Sequence, residues 1–215
     1  MLTPEIVELW RQATAGREGE LAAAASGFKN LLSQMAHLRS PEGCPWDREQ
    51  SLASLRQYIL EEAGEVVEAI DGVLKIEAEI RGAHNVPPAN PDPPEGDDRA
   101  RTEKKGHTIA HHPHRDDFKA EHSAAGAPLP DVMTSDERQA LDEAYAHLHK
   151  EIGDLLLQSA FLGDILVAMG RPGTDHSLEL IVDKLIFRHP HVYGDREVAD
   201  SAEVLVNWEA LKKEE

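Results

Sequence analysis

Apolar residues recur along this chain three and four positions apart rather than alternately, so the elements they predict are helices. Residues 3 to 12 read as a short helix, with Thr3 as N-cap, Pro4 at the first helical position, and Ile6, Leu9 and Trp10 as apolar contacts. A second amphipathic stretch starts at about Gly27 and carries Phe28, Leu31, Leu32, Met35 and Leu38. Ser40-Pro41-Glu42-Gly43-Cys44-Pro45-Trp46-Asp47 breaks it, and two prolines and a glycine make this segment a fixed loop. Asp47 or Ser51 then caps a long helix that runs to about Ile80, with Leu52, Leu55, Ile59, Val66, Ile70, Val73 and Leu74 on its apolar side.

From about 82 to 134 the periodicity vanishes, and eight of the 13 prolines and half of the 12 histidines fall there. Such a stretch cannot bury enough apolar surface to offset its ordering entropy, so we expect a mobile or disordered insertion. Helical patterning resumes after a cap at Thr134 or Ser135. It runs through Leu141, Leu148, Ile152, Leu155, Leu156, Phe161, Leu162 and Ile165, and stops at Gly170-Arg171-Pro172-Gly173. A helix over about 176 to 187 leads into Arg188-His189-Pro190-His191, where the proline imposes an extended turn, and a last helix covers about 201 to 213. The expected fold is all-α, a helical bundle centred on two long antiparallel helices. Residues 1–81 and 135–215 form its helical domain, interrupted by 82–134.

Composition narrows the function. With 40% hydrophobic but only 5% aromatic residues, the core is built from aliphatic side chains, as suits packed helices. A formal net charge of −18 argues against duplex nucleic acid or an anionic membrane as the main partner, because both require clustered Lys and Arg. Cys44 is the only cysteine, so no internal disulfide forms; with no leader pattern and no membrane-length apolar run, a cytoplasmic location is expected.

Two acidic spacings interrupt the apolar faces: Glu61-Glu62-Ala63-Gly64-Glu65 and Glu151-Ile152-Gly153-Asp154. Residues three apart share a helix face, so each motif presents paired carboxylates. Paired carboxylates repel unless a cation lies between them. Solvated acidic faces are common, and Glu68, Glu77 and Glu79 are read that way. Glu62, Glu65, Glu151 and Asp154 instead lie within or beside the apolar stripe, and the helix-weakening Gly64 and Gly153 leave room for close approach. A di-iron bundle would place His three residues after Glu; here those positions hold Glu65 and Asp154. An all-oxygen set points to Mg²⁺, with Mn²⁺ as a substitute.

Lys184 and Arg188 are four apart and can share a helix face towards phosphate oxygens. Trp208 and Lys212 repeat that spacing and offer a flat surface for a base and another cation. His189 and His191 read as structural. The run His107, His111, His112 and His114 reads as an exposed part of the insertion, and Cys44 as a small apolar side chain.

The ordered motifs resemble the MazG family of nucleoside triphosphate pyrophosphohydrolases. The matching pieces are Cys44-Pro45-Trp46-Asp47 with Gln50 and Ser51, Tyr58 to Glu65 with Ala69-Ile70, Glu151 to Gln158, and Lys184 with Arg188 to Tyr193. The resemblance implies an all-α fold, usually a homodimer, and Mg²⁺-dependent cleavage of nucleoside triphosphates to the monophosphate and pyrophosphate. It implies Glu62, Glu65, Glu151 and Asp154 as metal ligands and Glu61 as a further ligand or base. It also implies Lys184, Arg188, Trp208, Lys212 and Trp46 as substrate-binding side chains. Broad specificity with a role in cleansing the nucleotide pool is the leading expectation. The alternatives are a narrower enzyme of the dUTP/dCTP or phosphoribosyl-ATP type, or a non-catalytic helical interaction protein. The chain departs from the family pattern in the length between its acidic motifs, which residues 66 to 150 separate.

Overall fold

A computed structural model describes residues 2–86 and 129–214. Most of the expected insertion, including the run from His107 to His114, lies outside the described residues. Every regular element among the described residues is a helix, and none of them is a strand. The elements are α1 (Pro4–Ala13), α2 (Glu18–Leu38), α3 (Pro45–Glu49), α4 (Leu52–Ala83), α5 (Ser135–Ala168), α6 (Thr174–Arg188), α7 (Pro190–Tyr193) and α8 (Ser201–Leu211). The all-α class expected from the apolar spacing is what the chain adopts. Among the described residues no helix is long and apolar enough to cross a membrane.

Local chemistry explains most boundaries. Thr3 caps α1, its hydroxyl accepting the Ile6 N–H at 3.4 Å. Ser51, not Asp47, starts α4: the Ser54 N–H donates to Ser51 Oγ (3.3 Å), and the Ser51 N–H donates to Ser54 Oγ (2.9 Å). Thr134 and Glu137 form the same reciprocal cap for α5, with the Glu137 N–H on Thr134 Oγ1 (3.2 Å) and the Thr134 N–H on Glu137 Oε2 (2.7 Å). Gly170, at φ 70°, ends α5: its N–H reaches the Val167 carbonyl and the Arg171 N–H reaches that of Leu166.

Three expected boundaries are corrected. α2 begins at Glu18 rather than near Gly27, because the alanine run Ala22 to Ala25 has high intrinsic helix propensity without an apolar stripe. Pro45 and Pro190 open the short helices α3 and α7 instead of holding loops or extended turns. A proline at the first helical position lacks only an N–H that has no partner there.

The chain divides into two units, Met1–Ile59 with Leu156–Glu215, and Leu60–Leu155. In the first, Met35, Leu55, Phe161 and Ile165 are buried together and Leu38, Tyr58, Ile59, Leu157 and Leu162 pack against them. Arg39 ties α3 to this core: its Nε donates to Asp164 at 2.7 Å, its Nη1 to the backbone carbonyls of Asp47 and Gln50, and its guanidinium lies 5.3 Å from the Phe161 ring centre. The Trp10 indole N–H donates to the Tyr193 hydroxyl (3.1 Å), holding α1 against α7.

In the second unit, α4 from Leu60 and α5 up to Leu155 run antiparallel. Glu62 meets Glu151 and Asp154, Glu77 meets Tyr145, and His84 meets Glu137, so the partner number falls as the α4 number rises. Ala69, Val73, Ile80 and Leu141 are buried. Ile70, expected on the apolar side, is exposed, as are Leu60, Val67 and Ile152. Glu77 is not a solvated acid: it accepts from Arg81 Nη2 (2.8 Å) and from the Tyr145 hydroxyl (2.7 Å).

Candidate functional site

The second unit gathers the two acidic motifs. One carboxylate oxygen each from Glu62, Glu151 and Asp154 lie within 4.8 Å of one another. Helical spacing accounts for this: Glu62 and Glu65 stand one turn apart on α4, Glu151 and Asp154 one turn apart on α5, and the antiparallel pairing sets the turns opposite each other. Glu151 is the most enclosed of them, 2% exposed; Glu62 and Asp154 are half-buried, and Glu61 and Glu65 are exposed.

The electrostatics of the group are uneven. Lys150 Nζ donates to Glu151 Oε1 at 2.8 Å and lies 3.5 Å from Asp154 Oδ2, and His147 Nδ1 lies 3.2 Å from Glu151 Oε1. The Lys150 bond holds the Glu151 carboxyl below the usual carboxylate range, against the opposing effect of its burial. Glu65 is pushed up, first by a hydrogen bond to Glu151 for which it must carry the proton, then by burial and the charges of Glu151, Glu62 and Glu61. With both groups ionised no such bond exists, and the buried Glu151 Oε2 has no hydrogen-bond donor.

A buried carboxylate oxygen without a donor is costly, and the Glu151 carboxylate lies beside those of Glu62 and Asp154. The donor set therefore fits a hard divalent cation. His147 stands at the rim of the cluster and is not in the three-oxygen group. The contacts made by Lys150 and His147 were absent from the sequence reading. His147 is four residues before Glu151, a spacing that could have found it; Lys150 is adjacent, and its reach depends on a flexible side chain.

One of the sequence reading's inferences is overturned. A Cβ built at Gly64 or Gly153 meets nothing within 4 Å, so neither glycine is required by close packing among the described residues. The position that does need glycine on this helix is Gly163, where a Cβ would come 1.9 Å from Thr174 Oγ1.

The basic and aromatic residues belong to the first unit. Lys184 is exposed on α6, Lys212 is exposed with Nζ 3.8 Å from Glu209, and Trp46 is 52% exposed with its ring edge-on to Tyr58. Trp208 is half-buried on α8. The Arg188 guanidinium lies 5.2 Å from its ring centre, and the His189 ring meets it at 5.0 Å and 76°. His189 is itself tethered by an Nδ1–H bond to the Leu185 carbonyl (2.6 Å).

Residues 118–193 match the family model for the MazG nucleotide pyrophosphohydrolase domain. The nucleoside triphosphate pyrophosphohydrolase of Escherichia coli (strain K12) is 30% identical over 186 residues, which is 86% of this chain and 44% of that protein. The chain is thus similar to the MazG family, over residues 118–193 for the domain model and over most of its own length for this relative. Thermotoga maritima nucleoside triphosphate pyrophosphohydrolase/pyrophosphatase MazG is 28% identical over 188 residues, 87% of this chain and 45% of its own length. The uncharacterised protein YabN of Bacillus subtilis is 27% identical, with 87% of this chain and 24% of YabN covered. The chain thus spans less than half the length of the curated relatives it matches. No solved structure matches it significantly. The match to the MazG model takes in Glu151, Asp154, Lys184 and Arg188, while Glu61 to Glu65, Trp46, Trp208 and Lys212 lie outside the matched residues.

Proposed function

We propose that this chain hydrolyses nucleoside triphosphates to the nucleoside monophosphate and pyrophosphate, using Mg²⁺, with Mn²⁺ able to replace it. The observation that carries this reading is the convergence of carboxylate oxygens from Glu62, Glu151 and Asp154, the Glu151 side chain being buried with one oxygen that has no donor. The match of residues 118–193 to the MazG domain model, and relatives named for this activity, support it.

Glu62, Glu65, Glu151 and Asp154 are the residues proposed to hold the cation. When bound, the cation would supply charge neutralisation for the triphosphate and acidify a water molecule. The other roles fall to the chain. Glu61, exposed beside the cluster, accepts the proton of the water that attacks the α-phosphorus. The bond from that phosphorus to the bridging oxygen breaks, and pyrophosphate leaves with the negative charge. Lys184 and Arg188 bind triphosphate oxygens, with Lys212 and Trp46 as further substrate contacts. These first-unit roles rest on the sequence motifs.

Further parts of the proposal follow the same motifs. Residues 1–81 and 135–215 form a MazG-like catalytic domain carrying 82–134 as an insertion. The enzyme accepts several bases and serves to cleanse the nucleotide pool in the cytoplasm. It acts as a homodimer, for which the exposed Leu60, Val67 and Ile70 on α4 supply an apolar face.

The test is pyrophosphate release from a panel of ribo- and deoxyribonucleoside triphosphates, with Mg²⁺ and with excess chelator. Several substrates should be cut, each only with the metal. Glu62→Gln and Asp154→Asn should abolish turnover while the far-ultraviolet circular dichroism stays unchanged. Wild-type rates in either variant would refute the site. Cleavage of one nucleotide alone would replace broad specificity with a narrow one.

A further inference from the structure

Lys150 and Glu151 are neighbours on α5, and adjacent helical positions point about 100° apart, so spacing alone does not bring them together. Here the lysine stem folds back. Its Nζ donates to Glu151 Oε1 at 2.8 Å and lies 3.5 Å from Asp154 Oδ2. The ammonium thus spans two of the three carboxylates that converge in the second unit. His147 Nδ1 reaches the same Oε1 at 3.2 Å. Burial is divided sharply among the partners: the Glu151 side chain is 2% exposed, that of Asp154 40% and that of Lys150 68%.

We propose that Lys150 is a tethered counter-cation that competes with the divalent ion for Glu151 and Asp154, and so sets the ion concentration at which the site loads. The inference rests on the metal role given above to these two carboxylates. Ammonium and divalent ion draw on the same negative charge, and a dication held by Glu151 and Asp154 would repel an ammonium lying against both. One cation must give way. Lys150 is able to: most of its side chain is in water and its stem is flexible, so its head can move out without opening the core. The rival reading makes Lys150 a positioning residue that holds Glu151 for the ion. A positioning residue must itself be fixed by its packing. Here the residue to be held is enclosed, and the one that would hold it is exposed.

The experiment titrates the full chain with Mn²⁺, counting free ion by its electron paramagnetic resonance signal, in wild type, Lys150→Met, Lys150→Arg and Asp154→Asn. Melting in chelator and NMR of isotope-labelled lysine side chains supply two further readouts. Lys150→Met should bind Mn²⁺ about two- to fivefold more tightly, the equivalent of losing one partly exposed ion pair. The same variant should melt lower in chelator, by up to roughly 4 °C, because Glu151 loses a cation that neutralised it. Lys150→Arg keeps the charge and should stay near wild type in both. In wild type, saturating Mg²⁺ should move the Lys150 ε-methylene signal, identified by its loss in Lys150→Met, towards the position of a freely solvated lysine. Unchanged Mn²⁺ binding by Lys150→Met would overturn the inference, and weaker binding would overturn it in favour of positioning. A Lys150 signal that Mg²⁺ leaves in place would overturn it as well. So would a gain in Lys150→Arg as large as in Lys150→Met, since charge would not be the agent. If Asp154→Asn binds Mn²⁺ as wild type does, the metal role of the cluster fails and the inference falls with it. Loss of binding there, with no gain in Lys150→Met, removes the inference alone.

Discussion

Helices α4 and α5 bring acidic groups together at both ends of the second unit, with opposite surroundings. At the Arg81 end each carboxylate faces a donor. Glu77 accepts from Arg81 and Tyr145, and Glu137 accepts from Thr134 and His84. At the Glu151 end carboxylates face carboxylates, with Lys150 and His147 meeting one oxygen of the buried member and Lys150 also reaching Asp154. Buried charge is common to both ends, since Arg81 is 6% and Glu151 2% exposed. The sign of the neighbours separates them. Two like charges about 5 Å apart repel by at most about 3 kcal/mol at an effective dielectric of about 20, and by less where solvent reaches them, as at Glu62 and Asp154. That unfavourable term is one a divalent cation reverses.

Substitution should therefore act differently at the two ends. Glu151→Gln should cut pyrophosphate release by at least about a hundredfold, since losing a ligand should cost no less than losing a partner that orients one. Because the change also removes a charge that Lys150 holds in its ionised form, the melting temperature measured in chelator should stay level or fall slightly, and the increase on adding Mg²⁺ or Mn²⁺ should shrink. A variant that melted well below wild type in chelator while still hydrolysing nucleotides would make this end structural like the other.

At the Arg81 end the expected pattern is reversed. Arg81→Met leaves Glu77 enclosed without its cation, and breaking such a pair costs about 3 kcal/mol when both groups are well buried. Urea denaturation should show the loss, while turnover per folded molecule should match wild type. Smaller changes are expected at the glycines beside the carboxylates. Gly64→Ala and Gly153→Ala meet open space, so each should stabilise its helix by about 1 kcal/mol, or roughly 2–4 °C in melting temperature for a chain of this size. If either raised stability and lowered turnover, the glycine would be serving substrate or a second copy rather than this chain's own packing.

The sequence made the helices, most of their ends and the acidic pairs legible because those signals are local. Apolar spacing, Thr134 three residues before Glu137, and Glu62 three before Glu65 can all be read along one helix. What it hid depends on side chains meeting across helices. Glu77 looked like a solvated acid because Tyr145 lies 68 positions away. Arg39 had no visible role because Asp164 lies 125 positions away. The contact of Trp208 with Arg188 was hidden because the spacing of Trp208 to Lys212 carries no trace of it. The same limit applied to Gly64 and Gly153: helix-weakening residues beside carboxylates suggested close approach, and only the surroundings of each Cβ could test that. Pro45 and Pro190 failed for another reason. A proline is as much at home at the first helical position as in a turn, and the sequence alone does not choose between them.

The finest test of the contrast is pH. Glu137 has its carboxyl held below the usual range, first by the Thr134 backbone N–H, then by His84 and the Thr134 hydroxyl. A carboxyl whose folded pKa is depressed adds stability that is fully present above its unfolded pKa and is lost as pH falls through the folded value. Glu137→Gln cannot titrate, so the stability gap between wild type and this variant should be constant near neutrality. It should close as pH drops below about 4.3, the ordinary glutamate value. Glu65 has the opposite sign, its carboxyl raised by Glu151. Glu65→Gln should therefore cost nothing in acid in the absence of metal, and above the normal glutamate range it should remove a repulsion instead of a bond. Melting curves of the two variants in chelator, from pH 3.5 to 7.5, should diverge from wild type in opposite directions as pH rises. Parallel curves would mean that the two ends of the helix pair handle their carboxylates alike.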